Sequence, residues 1–195
     1  MLPGFVSVYS ALTRLRAKLF TLLCRADFQR IGPHSTLQTP IRLRGTRQIE
    51  IGQRVFVGSG SWLEVLEAQR PGSGPAIRIG DGTSISGFCT ITAAQEVVIE
   101  RDVLIARYVY ISDHSHAYTA TDKPIKAQGI TKVAPVRIRE GAWLGQNVVV
   151  CPGATIGRNA VIGANSVVRG DIPDYCVAVG APARVVRCNV AASVS

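Results

Sequence analysis

The chain is poor in large rings, poor in histidine and acid, and shows no paired cysteine spacing. Aromatic residues make up 6% of its 195 positions, which suits a narrow core lined by Ile, Val, Leu and Ala. Cys24, Cys89, Cys151, Cys176 and Cys188 form no C-x-x-C pair, so a zinc knuckle is excluded and reduced thiols in a cytoplasmic protein are expected rather than disulfides. No run of about eighteen apolar residues could span a bilayer, and no basic segment with a cleavage site marks secretion. Asp and Glu number 13 against 22 Lys and Arg, a net charge of +9. The cations are dispersed, and neither a zinc finger nor an aromatic RNA-binding motif accompanies them, so no nucleic-acid partner is expected.

What the sequence does contain is a repeat. Ile138, Leu144, Val150, Ile156, Ile162 and Val168 follow one another at intervals of six. Gly145, Gly157 and Gly163 come directly after three of them, and Ala142, Val148, Ala154, Ala160 and Ser166 fill a second slot four residues on. On a strand of period two, i and i+4 point inward together, while a glycine or turn residue lets the chain bend before the next strand. A helix would turn by about 240° over six residues and scatter these aliphatics around its axis. The same phase runs back through Ile99, Ile105 and Ile111, then Ile79, Ile85 and Ile91, then Ile51, Val57 and Leu63, then Ile31, Leu37 and Leu43. If three faces close one coil, the spacing predicts an all-β solenoid of about six coils, its short parallel strands stacked roughly 4.8 Å apart. This gives one domain over residues 31–187, with residues 188–195 as a flexible tail.

Residues 1–30 break the pattern. Phe5, Val8, Leu12, Leu15, Leu19 and Leu22 alternate at intervals of three and four, one stripe of a helix, with Arg14, Arg16, Lys18 and Arg25 around the remainder. Such a helix could cap the open edge of the first coil. It could instead lie on an anionic leaflet, as peripheral association with the inner membrane surface.

Two insertions interrupt the repeat. After Leu63 the next register position is delayed to Ile79, with Arg70-Pro-Gly-Ser-Gly-Pro75 supplying turn chemistry. After Ile111 the delay runs to Ile138, a long loop near residues 112–137 that holds Thr119, Lys123, Pro124, Lys126 and Gln128. Loops beyond about 12 to 15 residues in compact domains are usually functional or disordered. This one begins with two of the chain's three histidines, His114 and His116.

The motifs Ile111-Ser-Asp-His-Ser-His116, Gly141-Ala-Trp-Leu-Gly145, Pro152-Gly-Ala-Thr-Ile-Gly157, Ile162-Gly-Ala-Asn-Ser-Val-Val168 and Val179-Gly-Ala-Pro-Ala-Arg184 resemble those of the hexapeptide-repeat acyltransferases. The resemblance runs from about residue 31 to 187 and is nearest to sugar O-acetyltransferases of the galactoside and maltose type, and to enzymes that decorate bacterial surface polysaccharides. It implies a left-handed parallel β-helix, a hand that spacing alone does not reveal. It also implies a homotrimer with sites between subunits, acetyl-CoA as cosubstrate and a sugar or glycan hydroxyl as acceptor, in capsule, O-antigen or exopolysaccharide synthesis. An N-acetyltransferase of an amino sugar or amino acid, or a non-catalytic scaffold, stays open as an alternative.

Transfer of acetyl from a thioester to a hydroxyl needs a base, and neutral imidazole suits cytoplasmic pH. His116 lies five residues after Ile111, where the family's catalytic histidine lies. His114 stays open as the base, and Asp113 could orient an imidazole, bind the sugar or satisfy turn amides. By the resemblance, Gln146, Ala164, Arg169 and Gly170 fall where galactoside-type enzymes contact CoA, with Arg169-Gly170 standing where the family has Thr-Lys. Arg184 and Arg187 match its terminal basic pair for the nucleotide phosphates, for which guanidinium offers a fixed charged fork. The family's sugar-binding Asn and Asp fall at Ser86 and Ala94, which puts a simple galactoside acceptor in doubt. Trp143 could stack on a ligand, but is expected at a corner under the long loop. His34, about three coils or roughly 14 Å from His116, is expected to be a solvated turn residue. The zinc site of the β-helical carbonic anhydrases therefore lacks its ligands, and no metal is expected.

Overall fold

The computed structural model describes residues 4–66 and 74–189. A helix, α1 (Phe5–Cys24), leads into a prism of three walls. The first wall stacks β1 (Arg30–Ile31), β4 (Ile49–Ile51), β7 (Ile77–Ile79), β10 (Val97–Ile99), β15 (Val136–Ile138) and β18 (Thr155–Ile156). The second stacks β2 (Thr36–Leu37), β5 (Phe56–Val57), β8 (Ser84–Ile85), β11 (Leu104–Ile105), β16 (Trp143–Leu144) and β19 (Val161–Ile162), then β21 (Cys176–Val179) and β22 (Arg184–Cys188). The third stacks β3 (Arg42–Arg44), β6 (Trp62–Val65), β9 (Thr90–Ala93), β12 (Tyr110–Ser112), β17 (Val149–Val150) and β20 (Val167–Val168). Neighbours within each wall are parallel and in register, aliphatic on aliphatic, as in Ile79↔Ile99↔Ile138 and Ile105↔Leu144↔Ile162. Within the walls, among the described residues, only β21 and β22 run antiparallel, closing the far end of the second wall.

The inward slots are those read from the sequence. Ile138, Leu144, Val150, Ile156, Ile162 and Val168 are wholly buried, as are Ala142, Val148, Ala154, Ala160 and Ser166 in the second slot. Of the two kinds of residue expected to make the bends, the turn residues make those that follow Gly145, Gly157 and Gly163. Gly145 is not in the left-handed region, whereas Asn147, Asn159 and Asn165, two residues after Gly145, Gly157 and Gly163, adopt φ of 59°, 49° and 60° and make the turns. Asparagine tolerates that region. A Cβ at Gly145 would lie 2.7 Å from the Ala164 nitrogen of the next coil, so glycine is there to let successive coils approach.

The outer surfaces of the walls differ in character. The first carries ion pairs: Arg30–Glu50, Arg78–Glu96, Arg137–Glu100 and Arg101–Glu140. The second presents Phe56, Leu104 and Trp143 to the outside, each more than a third exposed. Trp143 therefore stands on the second wall between Leu104 and Val161, and the expected place under the long loop is corrected, since that loop leaves from the third wall.

Two further expectations change. Cys176 and Cys188 are joined in a disulfide, so the reading of all five thiols as reduced does not hold. The return of β22 along β21 sets these residues opposite each other, a juxtaposition that a sequence separation of 12 does not announce. For the same reason Cys188 belongs to a strand, and Asn189 donates its N–H to the Tyr175 carbonyl at 2.9 Å, so residues 188 and 189 are tied to the prism rather than part of the expected tail. Residues 190–195 and residues 67–73 of the first insertion, with most of Arg70-Pro-Gly-Ser-Gly-Pro75, lie outside the described residues.

Helix α1 meets the prism through small and polar residues. Ala17 and Thr21 are its buried positions, and Phe20 and Cys24 pack partly against the core. The Thr21 hydroxyl donates to the Ala17 carbonyl at 2.7 Å and accepts the Leu37 N–H at 2.8 Å, so the helix satisfies an edge donor of β2. Among the described residues, no helix is long and apolar enough to cross a membrane.

Candidate active site

The chain leaves the third wall at Ser112, the end of β12, and returns to the first wall at Val136. Between them the long loop forms its own antiparallel pair, β13 (Ser115–His116) with β14 (Ile130–Thr131), and a short 3-10 turn at Ile125–Ala127. Gln128 organises the tip: its side chain accepts the Ala120 N–H at 3.0 Å and donates to the carbonyls of Ala120 and Lys123 at 2.9 and 3.0 Å.

Asp113 fixes the loop's root. Its carboxylate is wholly buried and accepts the backbone N–H groups of Ala94, Gln95 and Glu96 at 2.8, 2.7 and 2.7 Å. Its own carbonyl accepts the Ala134 N–H at 2.8 Å, which ties the two ends of the loop together. The remaining bond of the carboxylate goes to His114, whose Nδ1 lies 2.8 Å from Oδ1. A carboxylate in this position holds the proton on Nδ1 and leaves Nε2 as the ring's free nitrogen. Asp113 thus has the geometry to orient an imidazole, and its burial gives it no oxygen to offer a sugar.

His116 is different. It is exposed on β13, held through backbone pairing with Ile130, and its ring has no hydrogen-bond or ionic partner among the described residues. A cavity of about 490 Å³ opens against the same loop, bounded by Ser115, Tyr118, Lys132, Cys151, Pro152 and Arg169; His116 is not in its lining. The Lys132 ammonium stands 6.0 Å from the Tyr118 ring centre. Tyr118 and Lys132 escaped the sequence reading. Their only signal was membership of an overlong loop, because neither occupies a repeat slot.

Arg169 follows β20 at the edge from which the histidine loop leaves, two strand spacings along the wall, or about 10 Å. It also lines a second cavity of about 310 Å³ with Gly170 and Arg184. The structure therefore brings Arg169, Gly170 and Arg184 together, with the Arg184 Nη1 donating to the Ala183 carbonyl at 2.9 Å. Arg187 sits further along β22, opposite Val177, and lines neither cavity. Gln146 and Ala164 lie on the turns between the second and third walls, across a wall from Arg169. They share that edge with Phe88, Arg107 and Tyr108, where the guanidinium of Arg107 covers both rings at 4.8 and 5.4 Å. His34 is in the first turn beside α1, with φ of 63°. Among the described residues, no three His, Cys, Asp or Glu side chains gather into a metal-binding group.

Known proteins resemble the chain in sequence and in fold. The family described as bacterial transferase hexapeptide (six repeats) matches residues 135–170. A protein of Escherichia coli named as a lipopolysaccharide biosynthesis O-acetyl transferase is 34% identical over 157 residues, 77% of each chain. Galactoside O-acetyltransferase of Escherichia coli is 33% identical over 181 residues, 89% of this chain and 87% of that one. The chain belongs to the hexapeptide-repeat acetyltransferases. Another protein named as an acetyltransferase, from Mycobacterium tuberculosis, is 41% identical over 140 residues, but the chain spans only 44% of its length. Among solved structures, the hexapeptide-repeat acetyltransferase VCA0836 of Vibrio cholerae superposes with a TM-score of 0.60 at 25% identity over 91% of each chain, and its complex with acetyl coenzyme A with a TM-score of 0.57. The N-acyltransferase AntD of Bacillus cereus shares the fold, with a TM-score of 0.73 at 15% identity over 88% of each chain. In this hexapeptide-repeat acetyltransferase, then, the long loop and Arg169 of the stacked coils share one edge.

Proposed function

We propose that the chain is an acetyl-CoA-dependent O-acetyltransferase, a homotrimer of left-handed prisms of six coils, that esterifies a sugar hydroxyl in bacterial surface polysaccharide. The observation that carries this reading is the 490 Å³ cavity that runs from the root of the histidine loop to Arg169. Its lining joins the loop that carries both candidate bases, through Ser115, Tyr118 and Lys132, to a fixed cation, Arg169, and a hydroxyl acceptor and a phosphate-bearing thioester require a base and a cation.

His116 acts as the general base. Its neutral imidazole takes the proton as the sugar oxygen bonds to the thioester carbonyl carbon, backbone donors hold the tetrahedral oxyanion, and collapse expels the CoA thiolate. The imidazolium then returns the proton to sulfur. Asp113 and His114 secure the root that places His116. Arg169, Gly170 and Arg184 take the nucleotide phosphates from one subunit, and Gln146 and Ala164 of the facing edge supply the rest of the cofactor surface from a neighbour. That division needs an oligomer, and the apolar second wall of Phe56, Leu104 and Trp143 supports one. The +9 charge suits CoA and an acidic or phosphate-linked acceptor.

Incubation with labelled acetyl-CoA and a panel of surface glycans and nucleotide-sugar precursors tests the reading. The expected product carries an ester that hydroxylamine removes, and His116→Ala lowers turnover by about 10² to 10⁴. A hydroxylamine-stable amide instead makes the protein an N-acetyltransferase, and absence of both CoA binding and transfer makes it a scaffold. The Asp113–His114 pair favours one second reading, in which His114 is the base. Full loss of turnover in His114→Ala, with normal turnover in His116→Ala, would establish it.

A further inference from the structure

The apolar stripe of α1 has no partner among the described residues. Phe5, Leu12, Leu15, Leu19, Leu22 and Leu23 are all more than half exposed, Phe5 at 84% and Leu22 at 65%. At 3.6 residues per turn, this stripe lies on the side of the helix opposite Ala17 and Thr21, which face the prism. The helix therefore has two working faces. One closes the first coil, and the other turns a continuous band of leucines away from the body of the protein.

The borders of that band are basic. Arg14, Lys18 and Arg25 flank it on one side and Arg16 on the other, and no Asp or Glu occurs before Asp27. Phe5 and Tyr9 stack at its start, ring centres 6.4 Å apart, both exposed. A cleft of about 150 Å³ opens next to the band, lined by Lys18, Leu22 and Arg25 of the helix and by His34 and Ser35 of the first turn.

We infer that α1 is an in-plane anchor that seats this end of the prism on an anionic phospholipid surface. Leucines enter the acyl boundary, the flanking Arg and Lys reach lipid phosphates, and the aromatic pair lies at headgroup level. Charge selects this occupant over a second copy of the chain. Two such faces packed together would crowd four cations from each helix with no acid between them, whereas an anionic leaflet neutralises them. The helix is too polar to cross the bilayer, so it lies along the surface. The inference does not depend on which acceptor or base the enzyme uses.

Flotation of the purified full-length protein with neutral phosphatidylcholine vesicles, and with vesicles holding a third phosphatidylglycerol, tests the inference. The wild type is expected to float with the anionic vesicles only, and to be released as salt rises well above physiological strength. Leu15→Asp/Leu19→Asp should abolish flotation, and Arg14→Glu/Lys18→Glu should weaken it by roughly tenfold or more. These side chains are exposed, so the variants should keep the wild-type melting temperature. Failure to bind anionic vesicles, or equal binding by the leucine variant, would overturn the assignment. So would a fall in oligomeric size of Leu15→Asp/Leu19→Asp without lipid, which would show that a second copy covers the stripe.

Discussion

Asp113 clasps His114 at 2.8 Å while it also receives three backbone N–H groups from Ala94, Gln95 and Glu96. Every one of these bonds crosses to the preceding coil or stays at the loop's root, so the carboxylate is a structural knot as well as an imidazole partner. Asp113→Asn presents an amide N–H where buried donors point. The expected cost is about 1–3 kcal/mol for each donor left unsatisfied, read as a lower denaturant midpoint. His116→Ala removes only an exposed ring and should leave that midpoint unchanged while turnover falls. An Asp113→Asn protein of wild-type stability would show that the knot is not needed.

Glycine at the coil junctions makes a second, paired prediction. Gly145→Ala would push a Cβ to 2.7 Å from the Ala164 nitrogen and 2.8 Å from the Ile162 carbonyl oxygen, both backbone atoms that cannot swing aside, whereas a Cβ at Gly170 meets nothing within 4 Å. Overpacking of this kind costs about 1–3 kcal/mol. Gly145→Ala should therefore melt earlier, and Gly170→Ala should melt with the wild type. If Gly170 lies against the donor, its alanine variant raises KM for acetyl-CoA without that loss of stability.

Much of the prism was legible because a period of six leaves only one way to bury Ile138 through Val168 together, and each of these side chains is in fact inside. The loop after Ile111 was legible for the same reason, as a break in that period. Contacts that depend on direction were not. The stripe from Phe5 to Leu22 announces a helix, but only the packing of Ala17 and Thr21 shows that the stripe faces outward. The pairing of Cys176 with Cys188 needed the reversal of β22. Asp113 could be named as a candidate, yet its amide donors come from residues 94 to 96, and no local pattern links these to it.

The thiols give a direct count. Cys24, Cys89 and Cys151 are free, and burial pushes the thiols of Cys24 and Cys89 above their ordinary range. A raised pKa leaves less thiolate at neutral pH and slows attack on disulfide reagents. With DTNB in denaturant, the unreduced protein should release three equivalents and the reduced protein five. Cys89 should react only after unfolding. Five equivalents without reductant would mean that the Cys176–Cys188 bond is open in solution.

Leu104 and Ile105 are neighbours on β11 with opposite duties. Ile105 is wholly buried between Ile85 and Leu144, and Ile105→Ala should cost about 2–5 kcal/mol, the transfer loss plus the cavity left behind. Leu104 points outward beside Trp143, on a wall whose apolar surface contrasts with the ion-paired first wall. Leu104→Asp/Trp143→Asp changes nothing inside the prism, so its secondary structure should survive. If the proposed trimer packs through this wall, its sedimentation should shift from trimer to monomer, because each charge would have to be buried against a neighbour without a partner. Transfer should then fail even with His116 intact, since Gln146 and Ala164 of the facing edge would no longer meet the cavity at Arg169. A monomeric variant that retained full activity would place the whole site within one chain.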